Sequence, residues 1–220
     1  TAPYSEPHEG HETGRPWGGG GWNLLGNPFT CALNISGTGT NFIETNFDYF
    51  DPQYVGVYLY EGGWSWPYIG LATGDFHSGT TYHQAVQVGQ GFLVLTYGDG
   101  VNFNFTTEMQ THATEVPLTT PVHAGEEWFG LHLKVRSGDL ENFTTIVYNQ
   151  AMTAGLDPGY DVGQLSAGPS VEIYTTLVAG SNVNFARQAL PLADYEINVV
   201  PVGIDSENGG EVTFSAWIIP

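Results

Sequence analysis

Short stretches in which hydrophobic and polar residues alternate run along most of this chain. Residues 54–60 alternate aliphatic side chains with tyrosines, and residues 131–136 alternate three aliphatic side chains with polar ones. Successive side chains of a β-strand point to opposite faces, so each stretch is predicted to be a strand with one face in a core. Further strands are predicted at 64–68, 101–105, 145–148, 171–178, 183–186, 195–199 and 212–218. Short apolar runs predict strands at 22–25 and at 92–97, the latter apolar on both faces and therefore central.

These strands predict an all-β fold. No window of a dozen residues has a helical period, and Gly, Asp and Asn turns separate the strands. Such spacing favours an antiparallel, jelly-roll-like β-sandwich, either one large sandwich or two in tandem. We expect a lead-in loop at 1–21, a first half at 22–117 and a second half at 118–220, divided by a Thr- and Pro-rich stretch at 117–121. The two halves are also compatible with one domain.

The stretch 21–30 combines a short apolar strand with a Gly-Asn-Pro turn. Glycine permits positive φ, Asn tolerates it, and Pro cannot donate a backbone hydrogen bond, so the strand is predicted to end there. Cys31 follows and is the only cysteine, which excludes an internal disulfide. No motif supplies Cys31 with a base, so it is interpreted as a small core residue.

The charge of the chain limits its partners. Twenty-three acidic residues against four Lys and Arg give a formal net charge of −19. Such a surface repels phosphate backbones and anionic lipid, which argues against a nucleic-acid partner. No apolar run reaches transmembrane length. Calcium, neutral glycans and simple solubility remain as interpretations of the acidity.

Five short motifs occur in an order that resembles a known family. They are WNLLGNPF at 22–29, GQGFLV at 89–94, LHL at 131–133, YNQAMTAGLDPGYD at 148–161 and PVG at 201–203. In this order they are similar to the β-rich region that precedes the C-terminal sorting domain in substrates of the type IX secretion system of Bacteroidetes-type bacteria. The chain departs from the family pattern at Cys31 and at residues 162–164.

The resemblance implies a non-catalytic module of an exported, extracellular or cell-surface protein, serving adhesion, recognition or assembly. It supplies no catalytic residues, because the family has no catalytic constellation. Two alternatives stay open: a structural subunit of a surface filament or adhesin polymer, and a carbohydrate-binding accessory module of a secreted glycan-degrading enzyme. Neighbouring copies or domains of the same protein are possible partners in the first case, and a neutral glycan in the second.

Two acidic turns are candidates for calcium. Asp157 and Asp161 lie in one Gly- and Pro-containing loop, and Asp48 and Asp51 lie in another. Calcium takes six to eight oxygen ligands, which loops of acidic β-proteins supply readily. Neither loop has the twelve-residue helix-loop-helix pattern, and Asp in a turn often accepts hydrogen bonds from its own backbone.

Aromatic residues make up 14% of the chain, and three of them, Trp64, Trp66 and Tyr68, share one face of a predicted hairpin strand. Flat aromatic faces stack on sugar rings, so these residues form a candidate glycan platform. The same alternation is typical of an ordinary core face, and the sequence leaves that alternative open.

Enzymatic motifs are weak in this sequence. A glycosidase needs two facing carboxylates, which 23 acidic residues supply by chance without identifying a pair. The histidines have no triad spacing, and no serine occurs in a Gly-x-Ser-x-Gly motif. The pair His8 and His11 lacks the spacing that places two histidines on one helical face. We therefore expect no enzymatic activity. His132 shares the polar face of its strand with Lys134 and Arg136, which predicts a small basic patch.

Overall fold

The computed structural model describes residues 22–36, 39–60, 64–68, 81–82, 85–98, 100–112, 116–117, 128–165, 171–180, 183–206 and 209–219. The predicted lead-in loop at 1–21, including His8 and His11, and most of the predicted boundary at 117–121 lie outside these residues. The described residues form sixteen strands, one four-residue α-helix and three single 3-10 turns. The predicted all-β class is thus confirmed.

The strands of the first half are β1 (Trp22–Gly26), β2 (Ala32–Asn34), β3 (Val57–Tyr60), β4 (Trp64–Tyr68), β5 (Thr81–Tyr82), β6 (Ala85–Val86), β7 (Gly91–Leu95), β8 (Gln110–Thr111) and β9 (Val116–Pro117). The strands of the second half are β10 (Phe129–Ser137), β11 (Leu140–Asn149), β12 (Val162–Gly163), β13 (Val171–Thr175), β14 (Phe185–Pro191), β15 (Val202–Ser206) and β16 (Thr213–Ile219). The helical elements are α1 (Phe42–Thr45) and the 3-10 turns Phe47–Tyr49, Thr107–Met109 and Leu192–Asp194.

Four sheets contain these strands. The orders are β1-β7-β3-β4, β6-β2-β8, β5-β9 and β15-β13-β14-β11-β10-β16, with β12 paired to β14. The described pairs are antiparallel, except that β11 and β14 run parallel. Each described strand pair joins strands of the same half, so no β-sheet among the described residues contains strands of both halves.

The core of the first half is built around Phe42. Asn41 caps α1 by accepting from the backbone N–H of Glu44 at 2.9 Å, which orients Phe42 inward. The ring of Phe42 contacts Phe92 edge-on with centroids 5.3 Å apart and stacks on Phe103 at 5.5 Å. Val55, two residues before β3, packs into the same cluster together with Val57 and Leu59 of the aliphatic face of β3.

The tyrosine face of the 54–60 stretch joins the two halves. Tyr54 and Tyr58 are buried together with Val162 and Phe185 of the second half. The Tyr58 hydroxyl donates to the carbonyl of Gly163 at 2.7 Å, and the Gly163 N–H donates to the carbonyl of Gln53 at 2.7 Å. Both faces of this strand are therefore buried, one within the first half and one between the halves.

The large sheet curls over its own apolar face. β13 pairs with β14 only at Thr175 and Phe185, and then diverges from it. Beyond that point, Val171 and Ile173 of β13 pack against Val135 of β10, with Leu133 at the margin of the cluster. Curling thus covers the face of β10 that carries its aliphatic residues, as the alternation in 131–136 predicted.

The prediction of a strand at 101–105 is wrong. Only Val101 forms a β-bridge, and the following residues have no strand partner. The side-chain amide of Asn46 takes the place of a neighbouring strand, since it accepts from the Asn104 N–H at 2.7 Å and donates to the Asn104 carbonyl at 3.0 Å. Phe103 and Phe105 then pack against the Phe42 cluster from an irregular segment.

The prediction of a strand at 195–199 is also wrong. The 3-10 turn Leu192–Asp194 runs directly into a further turn, and the strand forms later, as β15. Ile197 is 78% exposed and Val199 is 82% exposed, so the alternation of this stretch does not face a core. Alternation alone cannot supply the neighbouring strand that backbone pairing needs.

Candidate functional site

The aromatic stretch with Trp64, Trp66 and Tyr68 forms β4, an end strand of the four-stranded sheet. β4 pairs with β3 in an antiparallel hairpin, as predicted. The orientation of these three side chains lies outside the described residues. Their role as a glycan platform therefore stays a prediction.

Asp48 and Asp51 occupy the turn that follows α1. Asp48 belongs to the 3-10 turn Phe47–Tyr49, and Asp51 accepts from the Gln53 N–H at 2.9 Å. Burial raises the pKa of Asp51, and the hydrogen bond from Gln53 partly opposes that rise. Asp51 thus closes its own turn in the way that is common for Asp in loops.

Asp157 and Asp161 form a closed set of hydrogen bonds within their loop. The Asp157 carboxylate accepts from the Thr153 N–H at 2.7 Å, and the Asp157 N–H donates to Asp161 Oδ2 at 2.6 Å. Asp161 Oδ1 accepts from the N–H of Ala189 in β14 at 2.7 Å. Asp161 is fully buried, so its carboxylate fastens the loop to the large sheet.

The environment of Asp161 opposes its ionisation. Burial raises the pKa of Asp161 to about 7, and the neighbouring charge of Asp157 adds to the rise, while the backbone donors and Arg187 oppose it. Among the described residues, no three His, Cys, Asp or Glu side chains lie close enough to hold a metal ion together. The four candidate aspartates therefore do not form a single carboxylate cluster, and calcium binding in either loop stays a prediction.

His132 is buried and does not contribute to a surface basic patch. It is 3% exposed, its Nδ1 lies 2.9 Å from the Thr145 hydroxyl, and its ring lies 5.3 Å from that of Trp217. Burial lowers the pKa of His132 to about 4, and the charge of Arg187 contributes. His132 is therefore neutral at pH 7. Lys134, on the same face, pairs with Glu141 at 2.5 Å.

Arg187 is a buried charged residue that the sequence interpretation missed. It is 1% exposed in β14, next to Thr145 of β11, and its guanidinium lies 6.0 Å from the Trp128 ring centroid. The pattern did contain an indication of this position, because a single Arg interrupts the otherwise uncharged stretch 183–192. Burying a charge is costly without compensating contacts. The charge of Arg187 acts on both Asp161 and His132, so the three residues are coupled parts of one structural centre.

The end strands of the large sheet expose apolar residues. On β16, Phe214 is 53% exposed and Ile218 is 81% exposed. On β15, Val202 and Ile204 are also exposed. Exposed apolar residues that form a patch mark interaction surfaces. The sequence predicted a strand at 212–218 without indicating that it would lie at an edge.

Comparison with known protein families, with curated proteins and with solved structures finds no match to this chain. The resemblance to the secreted β-rich region is therefore carried only by the motifs quoted above. Within the described residues, no helix is long and apolar enough to cross a membrane.

Proposed function

We propose that this chain is a non-catalytic β-sandwich module of an exported bacterial protein, which acts at the cell surface in adhesion, recognition or assembly. The order of the sequence motifs supports export. The observation that carries the role in assembly is the apolar edge of the large sheet, where Ile218 is 81% exposed on a strand without charged residues. Edge strands of this kind pair with strands of other chains.

A cross-linking experiment on intact cells tests this function. The chain is expressed with its natural flanking sequence in its own bacterium, with a photo-reactive residue at position 218 or, as a control, at position 197. Ile197 is exposed to nearly the same degree, 78% against 81%, but lies outside any strand. We expect protease shaving to remove the protein from intact cells and cross-links to form from position 218 only. Protein retained inside the cell, or equal cross-linking from both positions, would contradict the proposal.

A carbohydrate-binding accessory module is the second candidate. The observation in its favour is that the aromatic strand β4 lies at the end of its sheet, next to β3 only among the described strands. Binding of the purified chain to a glycan array is the test, with Trp66→Ala as the variant and circular dichroism as the check on folding. Unchanged binding by the folded variant would place any glycan site elsewhere.

Calcium would link either role to the extracellular environment. Titration calorimetry on chelator-stripped protein should give heat with calcium that Asp157→Asn reduces, whereas Asp139→Asn, in an exposed hairpin turn, leaves it unchanged. Absence of heat with the native sequence would exclude both loops. Electron microscopy with and without calcium would separate a filament subunit, which forms ordered polymers, from a recognition module.

A further inference from the structure

The sequence of β16 has none of the residues that usually protect a sheet edge. β16 is the seven-residue stretch TFSAWII, without a charged residue, proline or glycine. It pairs with β10 on one side, and no described strand pairs with its other side. An uncharged edge strand of high β-propensity presents a row of backbone donors and acceptors to a further strand.

The other end strands of the two larger sheets differ from β16. β4 contains Pro67, which removes a backbone donor, and β15 contains the exposed Asp205. β1 is uncharged but has only five residues and is followed by the turn with Pro28. Pro and charge are the usual protection against edge pairing. β16 lacks both and, with seven residues, is the longest of these four end strands.

The exposed residues of β16 continue the apolar face of the sheet. Phe214 lies opposite Val135 in the β10–β16 register, and Ile218 lies opposite Leu131. Val135 belongs to the buried cluster with Ile173 of β13, and Ile173 lies opposite Ile204 of β15. Paired residues share a face, so Phe214 and Ile204 both lie on the side of the buried cluster. An added strand would therefore extend this apolar surface as well as the backbone ladder.

We propose that two copies of this chain pair through β16, antiparallel and about a two-fold axis at Ala216. This inference rests on the proposed role in assembly and names the partner as a second copy. In this register Phe214 lies opposite Ile218 of the second copy, and Ser215 lies opposite Trp217. The two large sheets then form one continuous sheet.

The sequence of β16 is self-complementary in this register. Aromatic–aliphatic pairs stabilise neighbouring strands, and the register provides two of them by symmetry, Phe214 with Ile218 and Ile218 with Phe214. The small residue Ala216 lies at the axis, where the copies come closest. A chain with a net charge of −19 opposes its own association. A strand without charges is a segment at which two such copies can meet without placing carboxylates opposite each other.

Sedimentation velocity of the purified chain tests the pairing. We expect a reversible monomer–dimer equilibrium that strengthens between about 0.1 M and about 1 M NaCl, because the Debye length falls from about 10 Å to about 3 Å and screens the repulsion between the copies. Ile218→Lys should weaken dimerisation at least about tenfold, since it buries a charge opposite Phe214. Ile197→Lys is the matched control and should dimerise as the native chain does.

Disulfide cross-linking tests the register in a Cys31→Ser background, which removes the free thiol of the chain. Directly opposed residues have Cα atoms about 4.5 to 5.5 Å apart, so Ala216→Cys should form a covalent dimer with itself. Phe214→Cys should not, because its two copies lie four residues, or about 14 Å, apart along the ladder. A mixture of Phe214→Cys and Ile218→Cys should cross-link only as the mixed dimer.

The outcomes separate this inference from the proposed function. A monomer at every salt concentration, a dimer that salt dissociates, or equal effects of Ile218→Lys and Ile197→Lys would overturn pairing through β16. Self-linking of Phe214→Cys without self-linking of Ala216→Cys would overturn the register. If position 218 cross-links on cells to a different protein while the purified chain stays monomeric, the assembly function stands and the second copy is wrong.

Discussion

Replacing Asp161 by Asn should change how the stability of the protein depends on pH. Asp161 is fully buried, and burial raises its pKa from the ordinary 3.8 to about 7. Between these two values the folded state holds a proton that the unfolded state has released. The contribution of Asp161 to stability is therefore complete below pH 3.8 and is lost as the pH rises through 7.

The size of this effect follows from the difference between the two pKa values. A difference of about three pKa units corresponds to about 4 kcal/mol in the free energy of unfolding. Asn cannot ionise, so Asp161→Asn lacks this loss. The variant should be less stable than the native chain at pH 4, because the hydroxyl oxygen of the protonated Asp161 carboxyl can still accept a hydrogen bond and the Asn NH₂ group cannot. One of the two N–H donors, of Asp157 or Ala189, then loses its acceptor, at a cost of about 1 to 3 kcal/mol. Between pH 4 and pH 8 the free energy of unfolding of the variant should rise by up to about 4 kcal/mol relative to that of the native chain.

Urea unfolding followed by tryptophan fluorescence between pH 4 and pH 8 measures this difference. Asp139→Asn, in the exposed turn between β10 and β11, is the matched control for the loss of one carboxyl group. If the free energies of unfolding of Asp161→Asn and the native chain differ by the same amount at every pH, the reasoning is refuted. A difference that moves in the opposite direction would show that the backbone donors and Arg187 outweigh burial.

Three further changes test other parts of the fold by the same unfolding measurement. Burial lowers the pKa of His132 from 6.5 to about 4, so the native chain loses stability as the pH falls from 7 to 4. The free energy of unfolding of His132→Gln should therefore rise by about 3 kcal/mol relative to that of the native chain over this range; a pH-independent difference would show that His132 is not a neutral buried residue. Gly163→Ala should cost about 1 to 3 kcal/mol, because a Cβ would lie 2.3 Å from the Tyr54 ring where the two halves meet; an unchanged midpoint would mean that this contact adjusts freely. Gln188→Met should stabilise the protein by about 1 to 3 kcal/mol, since the fully buried amide of Gln188 has no hydrogen-bond partner among the described residues; a loss of stability would instead indicate that the amide is satisfied.

Local patterns were sufficient for strands that lie beside a core. In residues 131–136 the aliphatic residues do face the buried side of the large sheet, and Val55, Val57 and Leu59 do form the core face of their strand. The Gly-Asn-Pro turn also ends β1 as predicted, although Gly26 does not adopt positive φ. Asn27 makes this turn instead, because its side chain accepts from the Phe29 N–H and donates to the Cys31 carbonyl.

The candidate site was less predictable, because it depends on which segments meet. The aspartates could be recognised as turn residues from sequence, but the hydrogen bond between Asp161 and Ala189 joins positions 28 residues apart. His132 and Arg187 are polar residues, yet both are buried in the fold. Their burial follows from the pairing of β10, β11 and β14, which alternation cannot specify.

The sequence by itself determined the strand class, the strongly acidic surface and the absence of an internal disulfide, since composition and two-residue periodicity are local properties. Only the tertiary structure decided that the tyrosine face of the 54–60 stretch joins the halves, that the large sheet curls, and that β16 is left at its edge. Alternation gives a strand its two faces, but the neighbours of a strand depend on contacts between distant residues. The proposed assembly surface lies for that reason at Phe214 and Ile218, where the stretch predicted at 212–218 pairs with β10 and has no second partner among the described strands.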